Sequence, residues 1–477
     1  VEIDMRSAGL LRLVSVLCVL LVAPAVPAAD AVTVIVGATV ISPQRDEAHA
    51  AAADQAIVIS GSRIKALGAT RKIRIPRGAT VIDAHGKWVI PGLIDSHVHF
   101  FQSGNLYTRP DGADFNRYRP YAEENARNKA RLPATFKVWL ASGVTGVVDV
   151  GGPFWNFDVR DLAEHTTAAP HVRVAGPLIS MVDRPQLDLG DPPIIRVDNP
   201  DEARKLVARE LERKPDYIKV WFIHRPDDDL QAQTAIVRAT ADAAHAAKVP
   251  LAVHATELVT AKAALQAGAD YLVHSVFDEP VDDEFIALIK QRHALYCPTL
   301  FVPAGYGYAF SNTWTATPEE ERLADPQILA SMHDLDRIPK EMIPERVSKL
   351  MEAHVPPAEP TVALANLKRL WSEGVTVVMG TDAGNVGTLH GPSIFREMAL
   401  MRKAGLTPLE VLRSATTNGA QALRLADEVG SIAPGKLADL VILDADPLAD
   451  VGNLSHAYRV IKDGAVFDPR ELIDSIR

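Results

Sequence analysis

Short apolar runs alternate with amphipathic stretches along most of this chain, and the period of the pattern divides it into regions. From Val32 to about Pro91 the runs are β-type: Val32–Val36, Ala56–Ile59, Arg63–Leu67 and Thr80–Ile82, separated by turn residues such as Ser60-Gly61 and Pro76–Gly78. The far end has the same texture in Ala438–Leu443 and Tyr458–Ile461, followed by the turn Lys462-Asp-Gly464. Two β-rich ends around a different middle predict one small β-sandwich domain built from residues 30–91 and 430–477. In the middle, strands ending near His99, Val150, Ser180, Phe222, Thr256, Ser275, Leu300 and Ala383 alternate with helical patterns such as Asp201–Lys214, Leu230–Lys248 and Leu258–Gly268. Eight such alternations predict an α/β fold, a (β/α)8 TIM barrel over residues 92–429, rather than an open sheet. Between the seventh and eighth strands, residues 303–360 are charged, helix-like pieces broken by Pro318, Pro326, Pro339, Pro344 and Pro356. An insertion of this kind reads equally as a lid over the site or as a solvated decoration.

A (β/α)8 barrel places its chemistry at the C-terminal strand ends, and polar residues stand there. The first strand closes with Trp88-Val-Ile-Pro-Gly-Leu-Ile-Asp-Ser-His-Val-His99. Side chains alternate across a strand, so His97 and His99 share a face and suit one metal ion. Lys219 lies in Tyr217-Ile-Lys-Val-Trp-Phe222. His254 ends Leu251-Ala-Val-His254, and His274 ends Tyr271-Leu-Val-His274. Asp382 closes Val377-Val-Met-Gly-Thr-Asp382. A polar group inside an apolar strand is unfavourable unless it is paired or ligates a metal, so six of them sharing one mouth point to a metal site. From the loops, His224, Arg225, Tyr306, Tyr308 and His390 are further candidates for substrate contact. The planar fork of Arg225 suits a carboxylate.

Composition changes the picture in three ways. A net charge of −10 argues against a nucleic-acid partner. Arg6 and Arg12, the apolar run Leu13–Val22 and the small residues Pro24–Ala29 form the pattern of a secretory leader over residues 1–29, too short for a membrane span. The expected location is therefore outside the cytoplasm, periplasmic or secreted, with no membrane anchor once the leader is removed. Of the 2 cysteines, Cys18 falls in that leader, which leaves Cys297 and no intrachain disulfide.

The ligand set resembles that of the amidohydrolase superfamily, and Pro91–His99 is similar to its first-strand signature. The stretches His254-Ala-Thr-Glu-Leu258, Ala267–Ser275 and Gly380-Thr-Asp-Ala-Gly384 are most similar to the imidazolonepropionase-like and prolidase-like branch. The resemblance covers nearly the whole chain after the leader. It implies that His97, His99 and Asp382 hold one divalent ion, most commonly zinc. His254 and His274 would hold a second, and Lys219 would bridge the two as a carbamate formed with carbon dioxide. An unmodified ammonium has no acceptor with which to ligate a cation. The implied reaction is hydrolysis of an amide by a hydroxide bridging two metals, with Asp382 as general base. Substrates would be dipeptides, N-acyl amino acids or aromatic amides of the ochratoxin kind. The other expected partners are further copies of this chain.

Two alternatives remain at this stage. His254-Ala-Thr-Glu257 also fits a mononuclear deaminase or cyclic-amide hydrolase in which Glu257 moves protons. A non-catalytic exported binding protein on the same scaffold is the other; such a protein would be expected to have lost ligands, and none is missing here.

Overall fold

The computed structural model describes residues 31–477; the predicted leader, with Cys18, lies outside the described residues. Parallel strands form the centre. Leu93–Val98 pairs with Val144–Asp149, which pairs with His171–Val174. Ile218–Trp221, Leu251–His254, Tyr271–Val273 and Leu295–Cys297 pair in that order, also in parallel. Leu93–Val98 and Val144–Asp149 are buried at every position, so neither shows an exposed polar face alternating with a buried one. Single bridges join what the longer ladders leave apart: Ala175 to Tyr217, Tyr296 to Val377 and Val98 to Ala383. The Asp382 amide donates to the His97 carbonyl at 2.7 Å, so the segment before Ala383 lies against the first strand.

Helices return the chain between these strands. Pro200–Leu211 starts where the Asn199 side chain accepts from the Asp201 and Glu202 amides, and Leu230–Ala246 starts the same way at Asp229. Leu258–Ala267 stops at Gly268, whose φ of 118° a residue with a side chain rarely adopts. No helix among the described residues is long and apolar enough to cross a membrane.

The third strand is interrupted. Its first part, His171–Val174, pairs with Val144–Asp149. Its second part, Leu178–Ser180, pairs in parallel with the fourth strand, Ile218–Trp221, and ends at Ser180 as expected; it also pairs with Ile194–Arg196. His171 and Arg173 are half-buried and interrupt the apolar signal of the first part. The strands of the terminal β-unit are joined in one continuous hydrogen-bonded network of 8 strands. Val32–Ile41 carries register shifts between Ile35 and Val40. Its first half pairs with Thr80–Asp83 and its second with Trp88–Pro91. Bulges bend a strand and let it change partners, a feature invisible in apolar periodicity. The final helix, Pro469–Asp474, packs with Leu140 and Ala141 of Leu132–Ala141.

Residues 303–360 are packed onto the barrel loops rather than solvated. Phe310, Trp314, Met332, Leu335 and Val347 share a buried cluster with Leu106, Tyr107 and Phe115 after the first strand and with Val386 and Leu389 after Asp382. The root of this insertion is held by Glu397, whose two carboxylate oxygens accept from the Leu300 and Phe301 amides at 2.8 and 2.9 Å. Burial pushes the Glu397 carboxyl up to about 8. A raised folded value means that the fold holds this proton more tightly than the unfolded chain does. Stability from this group is therefore full below about pH 4.5 and is lost as pH rises toward 8. Thermal melts between pH 5 and pH 8 are expected to show that decline, and Glu397→Gln to flatten it; an unchanged slope in the variant refutes the assignment.

Candidate metal centre

The two histidines of the first strand meet Asp382 across the strand ends. Asp382 Oδ1 lies 3.3 Å from His97 Nε2 and 3.2 Å from His99 Nε2, and the two Nε2 atoms are 3.3 Å apart. His274 Nδ1 is 3.9 Å from Asp382 Oδ2, and the His274 ring centroid is 4.3 Å from that of His254. His97, His274 and Asp382 each offer a ligand atom within 4.8 Å of the others. Five of the six expected ligands thus converge directly. Lys219 is fully buried, and among the described residues no carboxylate lies within 4.0 Å of its amine.

The surroundings prepare nitrogen lone pairs. His99 Nδ1 donates to the Gly151 carbonyl at 2.6 Å, which leaves Nε2 facing Asp382 as a lone pair. His274 Nδ1 is 2.7 Å from the Thr299 hydroxyl, which leaves its Nε2 free. Burial holds the pKa of His97, His254 and His274 well below the ordinary value, so all three stay neutral. Burial also pulls the Lys219 amine down to about 7, which supplies the uncharged form that carbamate formation requires. Asp382 Oδ1 is buried with no hydrogen-bond partner. A buried carboxylate oxygen between two imidazole nitrogens with no donor is unfavourable by itself and fits a divalent cation.

Buried carboxylates fix this geometry from behind. Asp95 accepts from the His97 amide and from the amide and hydroxyl of Thr381, tying the first strand to Asp382. Asp149 accepts from the Phe100 and Gly151 amides, steadying both neighbours of His99. Backbone strain gathers here too: His274, Thr299 and Asp382 have φ of 79°, 42° and 60°. At Gly384, φ is 109° and an added Cβ would stand 2.4 Å from the His99 carbonyl oxygen. Gly384→Ala is expected to destabilise the protein by about 2–4 kcal/mol through strain plus overpacking. Urea unfolding checks this; a change under 0.5 kcal/mol or so counts against it.

Residues 88–466 match the amidohydrolase family. The chain belongs to that family. It is a hydrolase acting on carbon–nitrogen bonds. The imidazolonepropionase of Aromatoleum aromaticum is 27% identical over 421 residues, 85% of this chain and 89% of that protein. A solved Xaa-Pro dipeptidase with bound methionine superposes with a TM-score of 0.68 at 24% identity, over 92% of this chain and 100% of its own. The ochratoxinase of A. niger gives 0.67 at 21%, over 92% and 96%. At these identities the solved structures establish the fold alone.

The loop candidates of this amidohydrolase part ways. Tyr306 donates to Asn385 Oδ1 at 2.7 Å, and the Asn385 side chain donates to the Asp382 carbonyl at 3.1 Å, so Tyr306 stands one residue from the centre. Tyr308 lines a separate cavity of about 620 Å³ with Phe301 and Arg396. His224 Nδ1 is 2.8 Å from Gln233 Oε1, and Arg225 is exposed. His390 bonds the Gln102 carbonyl at 2.9 Å and stacks on Phe100, a packing position in the loop. Glu257 accepts from the Thr260 hydroxyl at the start of its helix, a local bond. Sequence reasoning passed over Asn385, Arg109 and Arg184, because the contacts that join them, Arg109 to Asn385 and Arg184 to Asp111, link loops far apart in the chain.

Proposed function

We propose that this amidohydrolase is a binuclear metal-dependent hydrolase of amides, acting on dipeptides, N-acyl amino acids or aromatic amides. The unpartnered Asp382 Oδ1 between His97 and His99 carries this reading. His97, His99 and Asp382 would hold one ion, and His254 and His274 a second. Carbamylated Lys219 would lie between them. When bound, such ions, zinc foremost, supply Lewis acidity toward a carbonyl and acidify water. The protein's own contribution is proton handling and positioning. Asp382 faces the reacting volume and accepts a proton from the attacking water, then delivers it to the leaving nitrogen. The cover over residues 303–360 excludes bulk water, and Tyr306 enters with it. The cyclic order of strand pairings, with the bridge from Val98 to Ala383, supports a closed (β/α)8 barrel with the β-unit beside it. Export to the periplasm or medium, and assembly with further copies, complete the proposal.

The deaminase alternative needs Glu257 to face the substrate, and its bond to Thr260 opposes that. The test is elemental analysis of the purified protein beside a hydrolysis panel of N-acyl amino acids, Xaa-Pro dipeptides, ochratoxin A and imidazolonepropionate. About two metals per chain, with amide cleavage lost on chelation, is the expected result. One metal per chain with ammonia released from a ring amine overturns it.

A further inference from the structure

At the opposite end of the parallel strands from His97 and Asp382, three ligand-type side chains meet where those strands join the β-unit. His171 opens the third strand, opposite Gly146, in the register that sets Val174 beside Asp149. Asp439 directly precedes the strand Leu440–Leu443, and its carbonyl accepts from the Gly92 amide at the foot of the first strand. Asp463 stands in the turn between Ala457–Lys462 and Ala465–Phe467, at a φ of 48°. His171 Nε2 lies 2.9 Å from Asp439 Oδ2 and 3.7 Å from Asp463 Oδ1. One ligand atom from each of the three falls within 4.8 Å of the other two.

The simplest account is an ion pair between His171 and Asp439, and the geometry is against it. The two atoms are close, yet neither His171 Nε2 nor Asp439 Oδ2 has a hydrogen-bond partner, and both are buried. The Asp439 side chain is only 2% exposed. A buried nitrogen and a buried carboxylate oxygen that approach without sharing a proton are unfavourable by themselves. Two ligands of one zinc ion stand in this relation: each is about 2.0–2.2 Å from the ion, so they lie roughly 3 Å apart with lone pairs aimed at the ion. Asp382 Oδ1 shows the same signature against His97 and His99.

The other bonds orient the set. Asp439 Oδ1 accepts from the Asp463 amide at 2.8 Å, which fixes the carboxylate with Oδ2 toward His171. Lys462 pairs with Asp463 Oδ2, which leaves Oδ1 on the side of His171. Burial pushes the Asp439 carboxyl up, but His171, Lys462 and the Asp463 amide outweigh it, so Asp439 is ionised. With a neutral imidazole, the two carboxylates exceed the Lys462 ammonium by one negative charge. A cavity of about 390 Å³, lined by Thr166, Pro170, His171, Arg173, Lys462 and Asp463, gives an ion entry and leaves room for water to complete its coordination.

We infer that His171, Asp439 and Asp463 form a separate metal site, which takes a zinc ion and ties the third strand to the β-unit. One imidazole with two carboxylates suits zinc, whereas calcium and magnesium favour oxygen alone. The site lies away from the reacting centre and does not rest on the hydrolase reading. Its effect is on stability, because the ion joins segments far apart in the chain.

The experiment measures zinc by elemental analysis after equilibrium dialysis of the whole protein against a small excess of zinc chloride, beside His171→Gln and Asp463→Asn. Asp463 is half-exposed, so its variant keeps the test open if His171→Gln fails to fold. The expected result is about one ion per chain fewer in each variant than in the native protein. Added zinc should also raise the native Tm by a few degrees and leave both variants unmoved. Equal zinc content in all three proteins overturns the inference. So does a zinc-induced rise in Tm that persists in both variants, since the ion then binds elsewhere. A loss of stability in His171→Gln that is the same with and without zinc marks a plain ion pair and overturns it as well. The readout is a difference between native and variant, so it holds whatever number of ions the centre carries and whether or not any amide is cleaved.

Discussion

Replacing Asp382 with asparagine is expected to lower kcat/KM by roughly 10³–10⁴-fold, the upper end of what a positioned proton acceptor contributes. The substitution keeps the shape. It also suits the backbone, since the φ of 60° at this position is one that asparagine tolerates. What disappears is the negative charge of the Oδ1 that sits 3.3 and 3.2 Å from His97 and His99. Thermal stability should change little, while bound metal falls by elemental analysis. A variant retaining activity within about tenfold would remove Asp382 from the chemistry, because a loss that small is what one ordinary hydrogen bond accounts for.

Lys219→Met should separate the fold from the site. Methionine matches the length of the lysine stem and is at home in a buried strand, so the protein should fold. The amine that would carry the carbamate is gone, so metal content should fall by about half or more and hydrolysis by roughly 10²-fold or beyond. A second readout concerns the metal-free, unmodified protein. Its Lys219 is held near pH 7 by burial, below the ordinary 10.5, so the unfolded chain binds the extra proton and stability rises with pH between those values. The Met variant should lose that rise and be the more stable of the two at pH 7. Full metal content with full activity would show that Lys219 is only a buried structural amine.

The candidate ligands were legible because each lies in or at the end of an apolar strand, where a strand's alternation and a polar residue's unfavourable burial leave few explanations. His97, His99, His274 and Asp382 come together within contact of one another as that pattern predicts. The supporting groups were not legible. Asp95 touches Thr381, and Glu397 holds Leu300 and Phe301, partners separated by 286 and about a hundred residues of chain. Arg109 and Arg184 sit in polar loops, where arginine is the expected residue and carries no signal of its own. Only the first part of the third strand was hidden, because His171 and Arg173 are half-buried, while its apolar end at Leu178–Ser180 was legible.

The sequence by itself determined the order of strands and helices, the residues at the strand ends and, through their joint spacing, the family. These are properties of local periodicity and of residue type, and they survive without coordinates. Only the tertiary structure decided that residues 303–360 pack against the loops after the first strand and after Asp382, and that Tyr306 rather than Tyr308 reaches Asn385 beside the centre. It also decided that two arginines share one aspartate beside the histidines. Hydrogen bonds, charge balance and burial depend on distances between residues far apart in the chain, and no local pattern encodes those distances.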